Sequence, residues 1–176
     1  MRRRTLLASA LPWPGGATTA RVAGMLAAAA ASTVALGAPA QPSEAVRWPT
    51  VRLLDGQTWS AEQVKGQAVV VVFWSTTCPF CLRHNAHVEK LHRTLAGKPV
   101  QILTAARDRD PAAVRRYLQR HGYGFAVTMD HEPLQQALAA RKVIPLTVTV
   151  DRQGRLRQVI PGEMFEEDVM ALQNLT

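Results

Sequence analysis

Ala68-Val69-Val70-Val71-Val72-Phe73-Trp74-Ser75-Thr76-Thr77-Cys78-Pro79-Phe80-Cys81 is the stretch on which the fold of this chain turns. Residues 68–74 are apolar without alternation, the pattern of a strand buried on both faces. Pro79 then marks the first turn of a helix, where its fixed φ is already helical and its missing N–H costs nothing. The two cysteines therefore sit at a strand-to-helix turn.

Downstream, Pro79 to about Ala96 reads as that helix. Cys81, His84, Val88, Leu91 and Leu95 form one core-facing stripe, and Arg83, His87, Lys90 and Thr94 form a solvated one. Val100 to Ala105 is a second apolar strand, so the first half is a βαβ unit with a parallel pair. Asp110-Pro111 caps a further helix that Gly122 closes. Phe125 to Thr128 is a brief extended piece, and Glu132 to about Arg141 a short helix. Leu146 to Val150, the turn Asp151 to Gly154 and Leu156 to Ile160 make a hairpin. Glu163 to Leu175 is a last helix with Phe165, Val169 and Leu172 on one face. Upstream, Val46 to Ser60 is an irregular strand-and-turn region with a turn at Asp55-Gly56. The expected class is an α/β sandwich around a mixed sheet.

Residues 1–40 do not fit this pattern and read as an export signal, leaving 41–176 as the domain. Arg2-Arg3-Arg4 is a positive start, Val22 to Leu36 is an apolar run, and Ala38-Pro39-Ala40 places small residues where a signal peptidase cuts. Arg3-Arg4-Thr5-Leu6-Leu7 is similar to a twin-arginine export motif. The alternative is an uncleaved anchor through 22–36, short of the ~20 residues of a spanning helix. Either reading puts the domain outside the cytoplasm, in the periplasm or its equivalent. The 176-residue chain carries 21 basic and 13 acidic residues; without Arg2, Arg3, Arg4 and Arg21 its formal charge of +8 falls to +4. The remaining bases are scattered among acids, which speaks against a nucleic-acid partner. Two cysteines make neither a disulfide framework nor a four-ligand zinc site.

A lone C-x-x-C at the turn of a βαβ unit is a redox signature. Near the N-cap, the Cys78 sulfur meets unpaired amides and the positive end of the helix dipole, which favour thiolate. Cys81, one turn inside, is placed to close a disulfide with it. His84 lies beneath Cys81, where it could move the proton that Cys81 gains or loses or serve as a packed core histidine. Two other classes remain. Cys78, Cys81, His84 and His87 fall at steps of three, which invites a copper chaperone; steps of three on a helix do not keep all four on one side, and no metal site is expected. Ser75, three before Cys78, supplies the hydroxyl of a thiol peroxidase.

At these residues the chain resembles the thioredoxin superfamily, specifically the exported TlpA/ResA-like disulfide reductases. The matching pieces are Val69 to Trp74, Cys78-Pro79-Phe80-Cys81, Asp130, Val143-Ile144-Pro145-Leu146-Thr147 and Asp151-Arg152-Gln153-Gly154, spanning roughly residues 48–175. The resemblance implies a thioredoxin-like fold with a redox-active Cys78–Cys81 disulfide and no other cofactor. It implies a cis Pro145 facing that disulfide and a backbone at Ile144 that pairs with substrate, with Trp74, Thr77, Pro79 and Phe80 also contacting it. The implied partners are exported proteins carrying disulfides or thiols, apocytochrome c among them, and a membrane-bound electron donor or acceptor; the protein would act as a monomer. The chain departs from the family at three positions: Thr77 replaces a tryptophan, His84 an acid and Ala86 a proline. Pro79-Phe80 also differs from the dipeptides common in the reductases, so the direction of electron flow stays open.

Overall fold

The computed structural model describes residues 44–175; the expected export segment lies outside them. Chain order runs through β1 (Val51–Arg52), β2 (Thr58–Trp59), α1 (Ala61–Val64), β3 (Ala68–Trp74), α2 (Pro79–Thr94), β4 (Val100–Ala106) and α3 (Pro111–His121). It continues with β5 (Ala126–Thr128), α4 (His131–Ala137), β6 (Leu146–Val150), β7 (Leu156–Pro161), α5 (Glu166–Ala171) and a closing 3₁₀ turn. The central sheet has the order β5-β4-β3-β6-β7, parallel across β5-β4-β3 and antiparallel across β3-β6-β7. The expected βαβ unit and hairpin are both present.

β3 is the axis of the molecule. All seven of its residues are buried, because parallel β4 and antiparallel β6 hydrogen-bond its edges and helices cover its faces. On one face Val70, Val72 and Trp74 pack with Val88 and Leu91 of α2, Val114 and Tyr117 of α3, and Val169 near the C-terminus. On the other, Val69, Val71 and Phe73 pack with Trp59, Val64 and the α4 residue Leu134. Each fully buried valine or phenylalanine contributes on the order of 1.5–3 kcal/mol of transfer free energy. Right-handed crossovers from β3 to β4 and β4 to β5 put α2 and α3 on the same face.

The α3 boundaries follow the expected chemistry: Asp110 accepts from the Ala112 N–H at 2.8 Å, and Gly122 takes φ 66°. Three local expectations need correction. The short helix ends at Ala137, not near Arg141, because the chain turns through Ala139 at φ 46°. The last helix begins at Glu166; Phe165 is its N-cap and is 74% exposed, so it does not share a face with buried Val169 and Leu172. α1 was not expected, although Ser60 and Gln63 form a capping box, with the Ser60 N–H donating to Gln63 Oε1 at 2.7 Å. The β1 segment is pinned along the edge strand β5: Leu54 N–H donates to Val127 O at 2.8 Å, and Arg52 N–H to Asp130 Oδ2 at 2.8 Å. That cover removes an open sheet edge. No helix among the described residues is long and apolar enough to cross a membrane.

Candidate active site

Three chain segments meet at one end of the sheet: the loop after β3, the cis-proline turn before β6, and the Gly162–Phe165 link between β7 and α5. Trp74 and Ala106 are paired as the last residues of neighbouring parallel strands, and Leu146 opens β6 opposite Phe73. The C-terminal ends of parallel strands are the usual location of sites in open α/β sheets.

Cys78 is the N-cap of α2. Its Sγ accepts from the Cys81 N–H at 3.2 Å, so one otherwise unpaired helix amide points at the sulfur. The dipole of a sixteen-residue helix adds positive potential at the same point. Cys78 and Cys81 are joined as a disulfide with 5.2 Å between Cα atoms. Their surroundings differ: Cys78 is partly exposed, whereas Cys81 is fully buried in the core. An incoming group can reach only the outer sulfur.

Asp108, two residues beyond β4, fixes the loop that leads to Cys78. Its carboxylate accepts from the Thr76 N–H at 3.1 and 3.2 Å, from the Thr76 hydroxyl, and from the Ser75 hydroxyl at 3.3 Å. Arg107 N–H closes the same junction on Trp74 O at 2.8 Å. Sequence reasoning missed Asp108. Its signal was an acid just past the strand that neighbours β3, at the end where the cysteines lie. The Ser75 hydroxyl of the peroxidase reading is engaged with Asp108 and Thr77.

The Ile144–Pro145 peptide bond is cis. Pro145 O accepts from the Gly162 N–H at 2.8 Å, tying the turn to the link before α5. Ile144 and Cys78 both pack against the cluster that holds Cys81, Trp74 and Met164.

His84 is buried one turn below Cys81 and joins these segments. The Met164 N–H donates to Nδ1 at 3.3 Å, so Nδ1 carries no proton and the neutral ring bears it on Nε2. Nε2 lies 3.0 Å from Thr147 Oγ1 and donates to it. Burial first, and the neighbouring His87 second, push the ring pKa down to about 4, against the attraction of Glu163. In this disulfide form the ring is neutral near pH 7, its pKa lying below the range expected from the sequence, with both nitrogens engaged and the side chain closed off from bulk solvent. His87 is also not simply solvated: Nδ1 faces Met164 O at 3.4 Å and Nε2 lies 3.9 Å from Glu166. Arg83 makes a two-pronged contact with Glu163, with Nε on Oε1 at 2.7 Å, and lies 5.3 Å from the Phe80 ring centre. The Arg83 hydrogen bond holds the Glu163 carboxyl below the usual range.

Among the other expected substrate contacts, Thr77, Pro79 and Phe80 are exposed, Phe80 by 56%. Trp74 is not available. Its ring is fully buried, 5.0 Å from Tyr117 and 6.3 Å from Phe125, so it is a core residue. Among the described residues, no group of three or more His, Cys, Asp or Glu converges as a metal site would require.

Comparison with known proteins agrees with this geometry. Residues 40–175 match the family described as Redoxin. The chain is 27% identical over 116 residues to the thiol-disulfide oxidoreductase ResA of Halalkalibacterium halodurans, covering 66% of each chain. It is 29% identical over 118 residues to ResA of Geobacillus kaustophilus, covering 66% of this chain and 67% of that one. Its fold is similar to that of a thiol:disulfide interchange protein of the thioredoxin family from Chlorobium tepidum, with TM-score 0.71 and 23% identity over 77% of this chain and 97% of that one. With a buried central strand, an N-cap cysteine and a cis-proline turn meeting at one sheet end, the chain belongs to the Redoxin family and, within the thioredoxin superfamily, to the ResA/TlpA-like thiol-disulfide oxidoreductases.

Proposed function

We propose that this protein is an exported reductase of disulfides in other exported proteins, working through Cys78 and Cys81 with no other redox group. The observation that carries the reading is the unequal placement of the two sulfurs, one partly exposed at a helix N-cap and one buried. In the reduced protein, the helix amides and dipole favour the Cys78 thiolate. That thiolate attacks one substrate sulfur; the substrate S–S bond breaks, and a thiolate leaves and is protonated. A mixed disulfide joins Cys78 to the other half. Cys81 loses its proton and attacks Cys78 Sγ, releasing the second substrate thiolate, which is protonated in turn. Two electrons and two protons have passed to the substrate, and the protein holds the Cys78–Cys81 disulfide. A membrane-bound dithiol donor then returns two electrons and two protons.

The sequence of residues 1–40 supports export, and paired cysteines such as those of apocytochrome c are the substrate class that the family resemblance favours. The backbone at Ile144, with the exposed Thr77, Pro79 and Phe80, is the surface against which the substrate chain lies. The test is trapping in the export compartment. The Cys81→Ser variant accumulates mixed disulfides with substrates, and Cys78→Ser does not. Trapping by Cys78→Ser alone reverses the assignment, and trapping by neither removes the function.

A further inference from the structure

A hollow of about 330 Å³ opens beside Cys78, and Cys78 itself lines it. Pro79 and Leu82 of α2 form one wall, and Tyr117, Arg120 and His121 of α3 form the other. No carboxylate is among its lining residues. The acid in the neighbourhood, Asp108, is saturated by Thr76 and Ser75. The other arginines of α3 are engaged: Arg115 donates to Leu54 O, and Arg116 lies 3.5 Å from Asp110. Arg120 has neither an ion-pair nor a hydrogen-bond partner among the described residues. The His121 ring is held between Tyr117 and Tyr123, with centroids 4.6 and 5.5 Å away, which keeps this end of α3 in place. The hollow thus sets an unpaired guanidinium over a partly apolar wall, next to the outer sulfur.

Resting on the reductase reading above, we propose that this hollow is a subsite for a carboxylate side chain flanking the target cysteine of the protein substrate. Arg120 pairs with that carboxylate, and Leu82 and Pro79 take the methylenes beside it. The Cys78 thiolate then attacks the flanked disulfide as already described, with the same atoms exchanged. The subsite changes only which disulfides are held in line for attack.

The experiment uses the reduced protein and two disulfide-linked peptide dimers, acetyl-Asp-Cys-Asp-amide and acetyl-Asn-Cys-Asn-amide. Each rate is divided by that of the same peptide with dithiothreitol, which removes differences in intrinsic thiol chemistry. The expected result is a preference of about threefold to fivefold for the Asp peptide, the scale of an exposed ion pair. Arg120→Gln abolishes that preference, so that the Asp and Asn peptides react at equal normalised rates, and Arg120→Glu inverts it. About 1 M salt, where the Debye length is about 3 Å, also abolishes it in the parent protein. Equal normalised rates for the two peptides, or a preference that survives Arg120→Gln, overturn the subsite and leave the reductase reading standing. Turnover of neither peptide by protein with both thiols free removes the reductase reading itself.

Discussion

The buried His84 makes acid stability a direct test of the site's packing. Its ring pKa is about 4 in the folded chain, against about 6.5 in the unfolded one. Between those values the unfolded chain binds a proton that the folded chain refuses, so unfolding is favoured as the pH falls. Stability therefore rises with pH across this window, is flat above about 7, and has lost its full share below about 4. The interval is about 2.5 pH units, and at about 1.36 kcal/mol per unit the ring withdraws on the order of 3 kcal/mol from folding in acid. Burial is the chief cause of the shift, and a second ring proton must sit on Nδ1, where it displaces the Met164 N–H out of reach of bulk solvent.

The perturbation is His84→Gln. Glutamine can donate to Thr147 and accept from Met164, yet it does not titrate. Urea unfolding of the disulfide form at several values between pH 7 and 4 gives the stability of each protein, and the subtraction isolates the ring. The groups facing His84 matter here. Glu163 and, more distantly, Glu166 have depressed pKa values and lose their own stabilisation as pH falls, but the partners chiefly responsible, Arg83 and Lys90, are present in both proteins. We expect the parent to lose about 3 kcal/mol relative to His84→Gln over this range. A difference that stays constant from pH 7 to 4 would refute the neutral, doubly bonded ring.

Asp108→Ala leaves the Thr76 N–H and two hydroxyls without their acceptor; it should cost about 1–3 kcal/mol and slow thiol exchange, measured by denaturation and by stopped-flow mixing. Asp108→Asn, which keeps an acceptor, should recover most of the stability. Trp74→Ala empties a fully buried site and should cost about 3–5 kcal/mol in a thermal melt. Phe80→Ala, at a ring 56% exposed, should change stability by less than about 1 kcal/mol while raising KM for protein substrates in a reductase assay. Glu89→Ala removes the buried acceptor of Gly124 N–H and of Arg93, and should cost about 1–3 kcal/mol by urea titration.

The sheet was legible because its signals are local and redundant. Residues 68–74 announce a doubly buried strand, and Asp110-Pro111 with Gly122 brackets α3 to the residue. The α2 stripe gave the buried face correctly, since helical periodicity depends only on spacing. What spacing does not give is the packing of a neighbour. Periodicity assigned Phe165 to a helix face, but the helix starts after it, and a cap position obeys no such period. Asn85 and Glu89 lie inside the fold although each is polar, because α3 and the 122–125 loop close over that side of α2. Trp74 sat at the mouth of the motif in sequence and proved to be core, because the pleat turns its ring toward α3.

His84 shows the same limit at the site. The stripe placed it under Cys81, which the structure bears out, but its chemistry depends on Thr147 and Met164, 63 and 80 residues away in the chain. Those two partners decide which tautomer the ring adopts, and burial between them is the chief reason it stays neutral and resists acid. A proton carrier must exchange one nitrogen with the reacting group, and here one nitrogen already receives an amide proton while the other gives its proton to a hydroxyl. The same contacts join the helix bearing Cys78 and Cys81 to the strand that begins after cis Pro145 and to the link bonded to Pro145 O. Where the family resemblance leads to the expectation of an acid, this chain places a buried histidine that ties α2 to Thr147 and Met164. In the proposed cycle the proton leaving Cys81 then has its acceptor in the departing substrate thiolate, whose ordinary pKa of about 8.5 makes it the stronger base beside the disulfide.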